Sequence, residues 1–312
     1  HMGQIAFRGP HAVDTVNALI TNDLTRVGVG RAQYTLFCRE DGGILDDAIC
    51  YRMTETDVMV VVNASNLEKM WSWIASRADN KTKPVNESED WALLAIQGPL
   101  AKDISERVIP GANTLGRFAV GSFSCAGHSV WIATTGYTGE AGYEIFVRNT
   151  GATAVWDALM DAGSGDGLVP CGLGARDSLR LEMKYPLYGN DLDETTNPIE
   201  AGLGWAVRLK VPFIGIEALT DVKAKGPRRK LVGIELHGRG IARTGHTVHG
   251  ADGSDVGMVT SGTRSPSLKR AICMAWVATE YATIGTTLLV NIRGKMIEGA
   301  VVKTPFYRPN ES

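Results

Sequence analysis

An internal near-repeat constrains the fold of this chain more than any other feature of its sequence. Residues 4–24 read as a short apolar strand, a Gly-Pro turn at Gly9 and a run of apolar residues at helical spacing. Residues 93–109 repeat this plan, with the Gly-Pro turn at Gly98. A repeat of this kind predicts two structural units built on one plan. The alternative is that Gly-Pro turns recur by chance.

Two more strand-like runs and a second helix follow each copy, with the helices over residues 66–78 and 151–162. The resulting order, β-α-β-β-α twice, predicts two α+β modules of the split-βαβ type. A sheet covered by helices on one side leaves an apolar face open. Each module therefore needs the other module, or a third element, to cover its sheet.

The last third of the chain has a different sequence pattern. From Arg228 onward, five or six short strands separated by glycines follow one another, which predicts a small barrel or sandwich. A chain of 312 residues also exceeds the ~250 residues at which a single core stops growing. We therefore predict an α+β protein with a first module over residues 1–90, a second module over residues 91–225 and a C-terminal β-barrel over residues 226–312.

Charge and cysteine usage exclude several classes of function. Lys and Arg total 32 against 34 Asp and Glu, a formal net charge of -2, so no global field would attract nucleic acid or an anionic membrane. The five cysteines include no close Cys-x-x-Cys pair, and His246 and His249 lack a third ligand. We expect a reduced protein without metal, and one without a membrane span because no apolar run approaches ~18 residues.

The first candidate site is the acidic turn over residues 41–47, which is predicted to close a hairpin. Adjacent side chains on an extended strand point to opposite faces, so only one of Asp46 and Asp47 can face a given pocket. A solvated hairpin loop is the alternative, because glycines beside acids are common in turns.

The second candidate site is the loop over residues 136–140. Tyr137 lies 39 residues after Gly98, and Asp47 lies 38 residues after Gly9, so the two candidates occupy equivalent places in the two copies. If the modules pack about a pseudo-twofold axis, the two loops could face one another across the interface. A purely structural hairpin is the alternative.

The third candidate site is the segment over residues 171–182, which is predicted to open a helix. Arg176, Arg180 and Lys184 stand at four-residue spacing and would share one helix face. Such a face is usually solvated. An anion near the helix start would nevertheless find both positive charge and free backbone N–H groups.

Taken together, these segments resemble one family, the glycine cleavage system T-proteins, which are folate-dependent aminomethyltransferases. The matching segments follow the family's order and are residues 42–47, 63–64, 97–99, 136–140 with 143–145, 172–182, 187–190, 205, 213–215, 260–262 and 265–267. No single segment is specific, but ten in register make coincidence implausible. The resemblance also suggests a family member that lacks about the first fifty residues, because His1, Met2 and Gly3 resemble internal family sequence.

The resemblance implies a three-domain cloverleaf around a central tetrahydrofolate site. A lipoylated H-protein would deliver an aminomethyl group, and the products would be 5,10-methylenetetrahydrofolate, ammonia and dihydrolipoyl H-protein. By motif position, Asp47 corresponds to the family's catalytic acid, Glu144 to its pterin-binding carboxylate and Arg176 to a ligand-binding arginine. The other residues implied to line the folate pocket are Met2, Asn63, Tyr137, Tyr188 and Trp205.

The residue types agree with this chemistry. A pterin offers a ring N–H and an amino group side by side, and one carboxylate can accept hydrogen bonds from both. Folate nitrogens gain and lose protons as a one-carbon bridge forms, so a positioned acid is expected. We expect no second cofactor, a monomer in the free state, and a cytoplasmic location in a bacterium or a matrix location in mitochondria.

Two other functions stay open from the sequence. Another folate-dependent transferase or demethylase of the same fold could accept one carbon directly from a small molecule. A non-catalytic folate-binding protein that assists iron–sulfur assembly is the second, although such proteins carry a cysteine motif that this sequence lacks. If the partner is a lipoylated H-protein, the arginines predicted to face its acidic surface are Arg8, Arg31, Arg39 and Arg239.

Overall fold

The structure is a computed structural model that describes residues 2–79 and 81–308, so His1 of the predicted motif lies outside the described residues. The helices are α1 (Ala12–Leu19), α2 (Leu67–Arg77), α3 (Ala101–Val108), α4 (Ala152–Gly163), α5 (Leu173–Glu182) and α6 (Ile216–Lys225). The strands are β1 (Gly3–Arg8), β2 (Arg31–Cys38), β3 (Ile44–Arg52), β4 (Asp57–Val62), β5 (Pro84–Asn86), β6 (Trp91–Gln97), β7 (Val120–Cys125), β8 (His128–Ala133), β9 (Gly142–Arg148), β10 (Arg229–Leu236), β11 (Thr247–His249), β12 (Asp255–Arg264), β13 (Ala271–Ala278), β14 (Thr287–Ile292) and β15 (Lys295–Val302).

The two Gly-Pro turns have the same local structure. Gly9 and Gly98 have φ angles of 122° and 133°, a region that glycine alone enters readily. The N–H of Gly9 donates to the carbonyl of Thr56 at 2.8 Å, and the N–H of Gly98 donates to the carbonyl of Ala141 at 2.8 Å. Each turn leads from the first strand of its copy into a helix, as the sequence repeat predicts.

Each copy contains one strand more than the predicted order. The first copy runs β1-α1-β2-β3-β4-α2 and the second runs β6-α3-β7-β8-β9-α4. In the first copy β4 is the strand that the prediction lacks, because its sequence, DVMVVV, does not alternate between apolar and polar residues. A strand buried on both faces has this continuous apolar character. The sheets have the strand orders β2-β3-β4-β1-β5 and β6-β9-β8-β7, with antiparallel pairing.

The inner faces of the two sheets pack against each other, while helices cover the outer faces. Apolar residues of α1 and α2 share a core with the first sheet, and those of α3 and α4 share a core with the second. Between the sheets, the ring of Tyr51 meets Phe146 edge-on at a centroid distance of 5.2 Å, within a cluster that includes Ala6, Met59 and Val61. Each module thus covers the open face of the other, which is the coverage that the sequence requires.

The C-terminal strands form a closed barrel in the order β10-β13-β12-β11-β14-β15. The prediction of an α+β protein with a C-terminal β-barrel is therefore confirmed. The short strand β11 closes the barrel between β12 and β14. The sequence prediction does not include it, because three residues are too few to show a period.

The segment that includes α5 and leads to the barrel packs against both neighbours. Leu181, Leu192 and Leu203 share a buried cluster with Ile44 of the first sheet and Trp276 of the barrel. This segment therefore joins the barrel to the first module at the edge of the inter-sheet interface. The domain boundaries at residues 90/91 and 225/226 fall between the sheets and stay a prediction.

Three further features concern membranes, disulfides and metals. None of the described helices combines the length and the apolar character that crossing a membrane requires. All five cysteines are free, and Cys171 is the exposed one. Within residues 2–79 and 81–308, no three His, Cys, Asp or Glu side chains form a group that could hold a metal ion.

Candidate active site

The two sheets and the segment after α5 surround a cavity of about 900 Å³. This volume suits a ligand of drug size. Seven of the eight predicted site residues line it: Met2, Asp47, Asn63, Tyr137, Glu144, Arg176 and Trp205. The eighth, Tyr188, is not part of the lining.

Strand alternation decides which acid of β3 reaches the cavity. Asp47, Ile49 and Tyr51 line the cavity at every second position of the strand. Asp46 is 0% exposed and points to the opposite side. An extended strand separates the Cα atoms of Asp47 and Tyr51 by about 13 Å. The structure thus places Asp47, and not Asp46, at the cavity wall.

Asn63 holds the two adjacent carboxyl groups in place. Its Nδ2 donates to Oδ1 of Asp46 at 2.8 Å and to Oδ1 of Asp47 at 2.8 Å, and its backbone N–H donates to Oδ2 of Asp46 at 3.0 Å. Asn66 adds a hydrogen bond to Asp46 at 2.9 Å, and the Tyr34 hydroxyl donates to Asp47 at 3.0 Å. The acidic turn is therefore not a solvated loop.

Burial raises the pKa of both carboxyl groups. For Asp46, burial and the neighbouring charge of Asp47 raise the pKa to about 7, against the opposing hydrogen bonds of Asn63 and Asn66. For Asp47, burial raises the pKa, and the hydrogen bonds from Tyr34 and Asn63 oppose the rise. A carboxyl group whose pKa lies closer to the working pH exchanges protons more effectively. Asp47 therefore combines access to the cavity with a raised carboxyl pKa.

Glu144 approaches the cavity from the second sheet. It lies on β9, and its Oε2 accepts hydrogen bonds from Thr135 at 2.5 Å and from the Tyr51 hydroxyl at 3.2 Å. Within the described residues, its Oε1 accepts no hydrogen bond. One oxygen of Glu144 is therefore fixed by neutral donors, and the other is available to a ligand.

Arg176 lies against an aromatic pair at the cavity wall. Its guanidinium carbon is 4.6 Å from the ring centroid of Tyr137, which stacks on Tyr185 at 5.8 Å. The Tyr137 hydroxyl donates to the carbonyl of Pro186, which fixes the ring. A cation over an aromatic face keeps its charge available to a ligand. The structure thus brings Tyr137 and Arg176 together in the cavity.

Trp205 and Met2 form part of the apolar wall. Trp205 is 59% exposed, and its ring stacks on Tyr34 at a centroid distance of 5.3 Å. Tyr34 in turn donates its hydroxyl hydrogen bond to Asp47. An exposed tryptophan that stacks beside the candidate acid provides apolar contact area for a ligand.

Tyr188 lies behind the site and contacts the strand that carries Asp47. Its hydroxyl donates to the carbonyl of Ile44 at 3.0 Å and accepts from Lys69 Nζ at 2.9 Å. Lys69 also binds Glu194 at 3.2 Å. Because these contacts occupy the hydroxyl, Tyr188 fixes the start of β3 and does not contact the cavity.

Arg180 shows the largest difference between expectation and structure among the candidate residues. Its predicted helix face is solvated, yet Arg180 is 1% exposed and forms an ion pair with the fully buried Asp191 at 2.6 Å. Arg180 also donates to Asp177 at 2.7 Å and to Ser261 at 2.8 Å. The expectation is wrong for this residue, because the barrel strand β12 packs over α5 and buries that part of the helix.

A second buried carboxylate connects α5 with the barrel. Glu182 accepts hydrogen bonds from the Ser265 hydroxyl, from the Ser267 N–H at 3.0 Å and from the Ser267 hydroxyl at 2.8 Å. Its backbone carbonyl accepts from the N–H of Phe306 at 2.8 Å. Two of the family-like segments, 172–182 and 265–267, thus serve to position the barrel.

Sequence reasoning missed several residues of the site. Tyr34, Tyr51 and Thr135 hold the two cavity carboxylates. Tyr51 follows Asp47 by four positions on one strand, so alternation alone would place both side chains on one face. No sequence signal indicates Thr135, because its contact depends on how β8 and β9 pair.

Two family models cover most of the chain. The GCVT N-terminal domain matches residues 1–211, and the glycine cleavage T-protein C-terminal barrel domain matches residues 229–308. The chain therefore belongs to the glycine cleavage T-protein family, and the resemblance noted from the sequence is confirmed.

Comparison with individual relatives indicates the class of enzyme within this family. The aminomethyltransferase of Halothermothrix orenii is 46% identical over 308 residues, which cover 98% of this chain and 86% of that protein. The aminomethyltransferase of Symbiobacterium thermophilum is 44% identical over 318 residues, with coverages of 99% and 84%. The crystal structure of glycine cleavage system aminomethyltransferase T from Bartonella henselae matches with a TM-score of 0.89 and 34% identity over 98% of this chain and 84% of that chain. The chain is an enzyme of the aminomethyltransferase class.

Proposed function

We propose that this enzyme transfers the one-carbon unit from aminomethyl-lipoyl H-protein to tetrahydrofolate. The products are 5,10-methylenetetrahydrofolate, ammonia and dihydrolipoyl H-protein. One observation carries the proposal: Asp47 and Glu144 come from different sheets and line the same cavity of about 900 Å³.

The cavity residues fit a reduced folate. Glu144 offers a free carboxylate oxygen to the adjacent N–H and amino groups of a pterin, an arrangement in which one carboxylate accepts two hydrogen bonds. The rings of Tyr34 and Trp205 supply apolar area for the flat part of the ligand. Arg176 lies over the Tyr137 ring and forms no ion pair with a carboxylate of residues 2–79 or 81–308, so its charge suits a carboxylate of the folate.

Asp47 is the residue proposed to move protons. Tetrahydrofolate supplies the two nitrogens between which the one-carbon unit forms a bridge. Two N–H protons leave those nitrogens, one reaches the departing ammonia and one reaches the lipoyl sulfur, so atoms and charge balance. The hydrogen bonds of Tyr34 and Asn63 keep the Asp47 carboxylate in one orientation while it accepts and returns a proton.

Glu144→Gln tests the proposed pterin contact. Hydrogen bonds to a charged group contribute about 1.5–3 kcal/mol each, so affinity for tetrahydrofolate should fall by roughly 10- to 150-fold. Calorimetric titration of tetrahydrofolate into both proteins gives the two dissociation constants. Glu89→Gln, an exposed substitution outside the cavity lining, is the matched control. An unchanged dissociation constant for Glu144→Gln would show that this carboxylate does not hold the pterin.

A carrier-bound substrate should react faster than a free one. Of the four arginines predicted to meet the carrier, Arg8 pairs with Glu87 and Arg39 pairs with Asp41. Arg31 and Arg239 form no ion pair within the described part of the chain, so they are the better candidates. Charge complementarity raises association rates by about tenfold or more. The rate of methylenetetrahydrofolate formation is measured with aminomethyl-lipoyl H-protein and with free aminomethyl-dihydrolipoamide at equal concentration. Equal rates would contradict the proposal that the enzyme recognises a carrier protein.

A further inference from the structure

The hairpin that carries Asp46 and Asp47 contains a β-bulge directly before these two acids. In the antiparallel pairing of β2 with β3, one step along β2 corresponds to two steps along β3, from Ile44 to Asp46, so Leu45 is the extra residue. Leu45 and Ala48 pack in one core although an odd number of positions separates them. A bulge breaks the alternation of side chains in this way. The bulge therefore decides which of the two acids faces the cavity, since a shift of one residue moves a side chain to the opposite face.

The backbone of Ile44, at the start of this bulge, is bonded to a distant segment of the chain. Its N–H donates to the carbonyl of Thr196 at 2.9 Å, and its carbonyl accepts from the Tyr188 hydroxyl at 3.0 Å. Gly43 lies so close to the same segment that an added Cβ would be 2.2 Å from the Glu194 carbonyl oxygen. The segment that contains Tyr188, Glu194 and Thr196 therefore fixes the bulge from one side.

Lys69 of α2 connects the Tyr188 hydroxyl with a carboxylate of that segment. Its Nζ donates to the hydroxyl at 2.9 Å and to Glu194 at 3.2 Å, and it lies 4.6 Å from the centroid of the Tyr188 ring. Because the lysine donates to the hydroxyl oxygen, the hydroxyl proton is directed to the carbonyl of Ile44. Burial and the charge of Glu194 raise the pKa of the Tyr188 hydroxyl, so the hydroxyl keeps this proton at neutral pH.

We propose that Tyr188 and Lys69 are positioning residues for the transfer reaction, because they hold the bulge that directs Asp47 into the cavity. This inference rests on the proposed function. Neither side chain belongs to the cavity lining, so their effect reaches the reaction through the backbone of Ile44. Without the hydroxyl the bulge can relax and move the carboxylate that follows it. A displacement of a catalytic group by about 1 Å can lower a rate by about 10²-fold.

Tyr188→Phe tests this inference, because it removes the hydroxyl and keeps the ring. We expect kcat to fall by about 10- to 100-fold while the KM for tetrahydrofolate changes by less than about threefold, since the groups proposed to hold the folate stay in place. Lys69→Met should also lower kcat, and Lys69→Arg, which can still donate to the hydroxyl and to Glu194, should restore most of the rate. Tyr281→Phe is the matched control, because the Tyr281 hydroxyl lies 3.4 Å from the Ser254 hydroxyl in the barrel and outside the cavity lining.

A double-mutant cycle with Asp47→Asn distinguishes positioning from a general structural role. If Tyr188 acts through Asp47, Tyr188→Phe should lower the kcat of the Asp47→Asn variant by less than about threefold. Hydrogen exchange followed by mass spectrometry gives a readout that does not depend on activity. The peptide that covers residues 41–47 should exchange faster in Tyr188→Phe than in the wild type, and Tyr281→Phe should leave its exchange unchanged.

The outcomes separate this inference from the proposed function. A wild-type kcat in Tyr188→Phe, an equal loss of rate with and without Asp47, or unchanged exchange over residues 41–47 would each overturn the inference and leave the proposed function standing. Should Tyr188→Phe fail to fold, equal rates of Lys69→Met and Lys69→Arg would overturn it instead. If the wild type forms no methylenetetrahydrofolate from aminomethyl-lipoyl H-protein and tetrahydrofolate, the proposed function itself is wrong.

Discussion

Asp47→Asn should lower kcat by about 10²- to 10⁴-fold, the contribution typical of general acid–base catalysis. The substitution keeps the shape of the side chain and removes its charge and basicity. Its Oδ1 can still accept from Asn63, and its new amide can donate to the Tyr34 hydroxyl, which accepts as readily as it donates. Folding and tetrahydrofolate affinity should therefore change far less than the rate.

Asp46→Asn is the matched comparison, because it makes the same chemical change one residue away. The Asp46 carboxylate accepts from Asn63 through two donors and from Asn66 through a third, so the introduced amide leaves one buried donor facing another. Such a conflict costs about 1–3 kcal/mol of stability. Strand alternation turns Asp46 away from the cavity, so this substitution should have little effect on kcat. Because the hydrogen bonds of Asp46 are buried, we expect it to lower the stability of the fold instead.

Steady-state kinetics in both directions, combined with thermal melts of both variants, separates the two effects. A low kcat and a nearly normal melt are expected for Asp47→Asn, and the reverse is expected for Asp46→Asn. If the Asp46 variant is the inactive one, the wrong face of β3 has been assigned to the cavity. If neither variant loses activity, this hairpin is not the catalytic site.

The sequence predicts most of the architecture, because the turns and short strands have strong local signals. Gly9 and Gly98 adopt backbone angles that glycine permits, so two Gly-Pro turns at equivalent positions reveal a real repeat. The barrel is predictable for a similar reason, since its strands are short and separated by turn residues. The missing strand β4 shows the limit of this approach. An apolar run buried on both faces has no period to detect.

The sequence is less informative about which polar residues are buried. Nothing local separates Arg176, which faces the cavity, from Arg180, which is enclosed one turn later on the same helix. Whether each arginine is buried depends on the barrel strand β12, which packs over Arg180 and not over Arg176. Tyr188 shows the same limit, because its hydroxyl is occupied by Ile44 and Lys69 from distant parts of the first module.

Arg180→Met should destabilise the protein by about 3–5 kcal/mol, because it leaves the Asp191 carboxylate buried without its partner. Asp191 is 0% exposed, and its remaining donors are Thr260, Ser261 and the N–H of Leu187. These neutral donors stabilise the charge less than a guanidinium does. For a chain of this size the midpoint of thermal unfolding should fall on the order of 10 °C.

Thermal unfolding of three variants, measured by calorimetry, tests whether the buried and unpaired Asp191 carboxylate causes the loss of stability. Arg107→Met removes an arginine from an exposed pair with Asp166, whose side chains are 51% and 39% exposed, and it should cost less than about 1 kcal/mol. The double substitution Arg180→Met with Asp191→Leu should recover part of the loss, because no unpaired charge then stays buried. If Arg180→Met melts like Arg107→Met, water reaches Asp191 and the pair does not hold the barrel against α5. If the double variant is no better than Arg180→Met alone, the lost contacts to Ser261 and Asp177, rather than the unpaired carboxylate, account for the destabilisation.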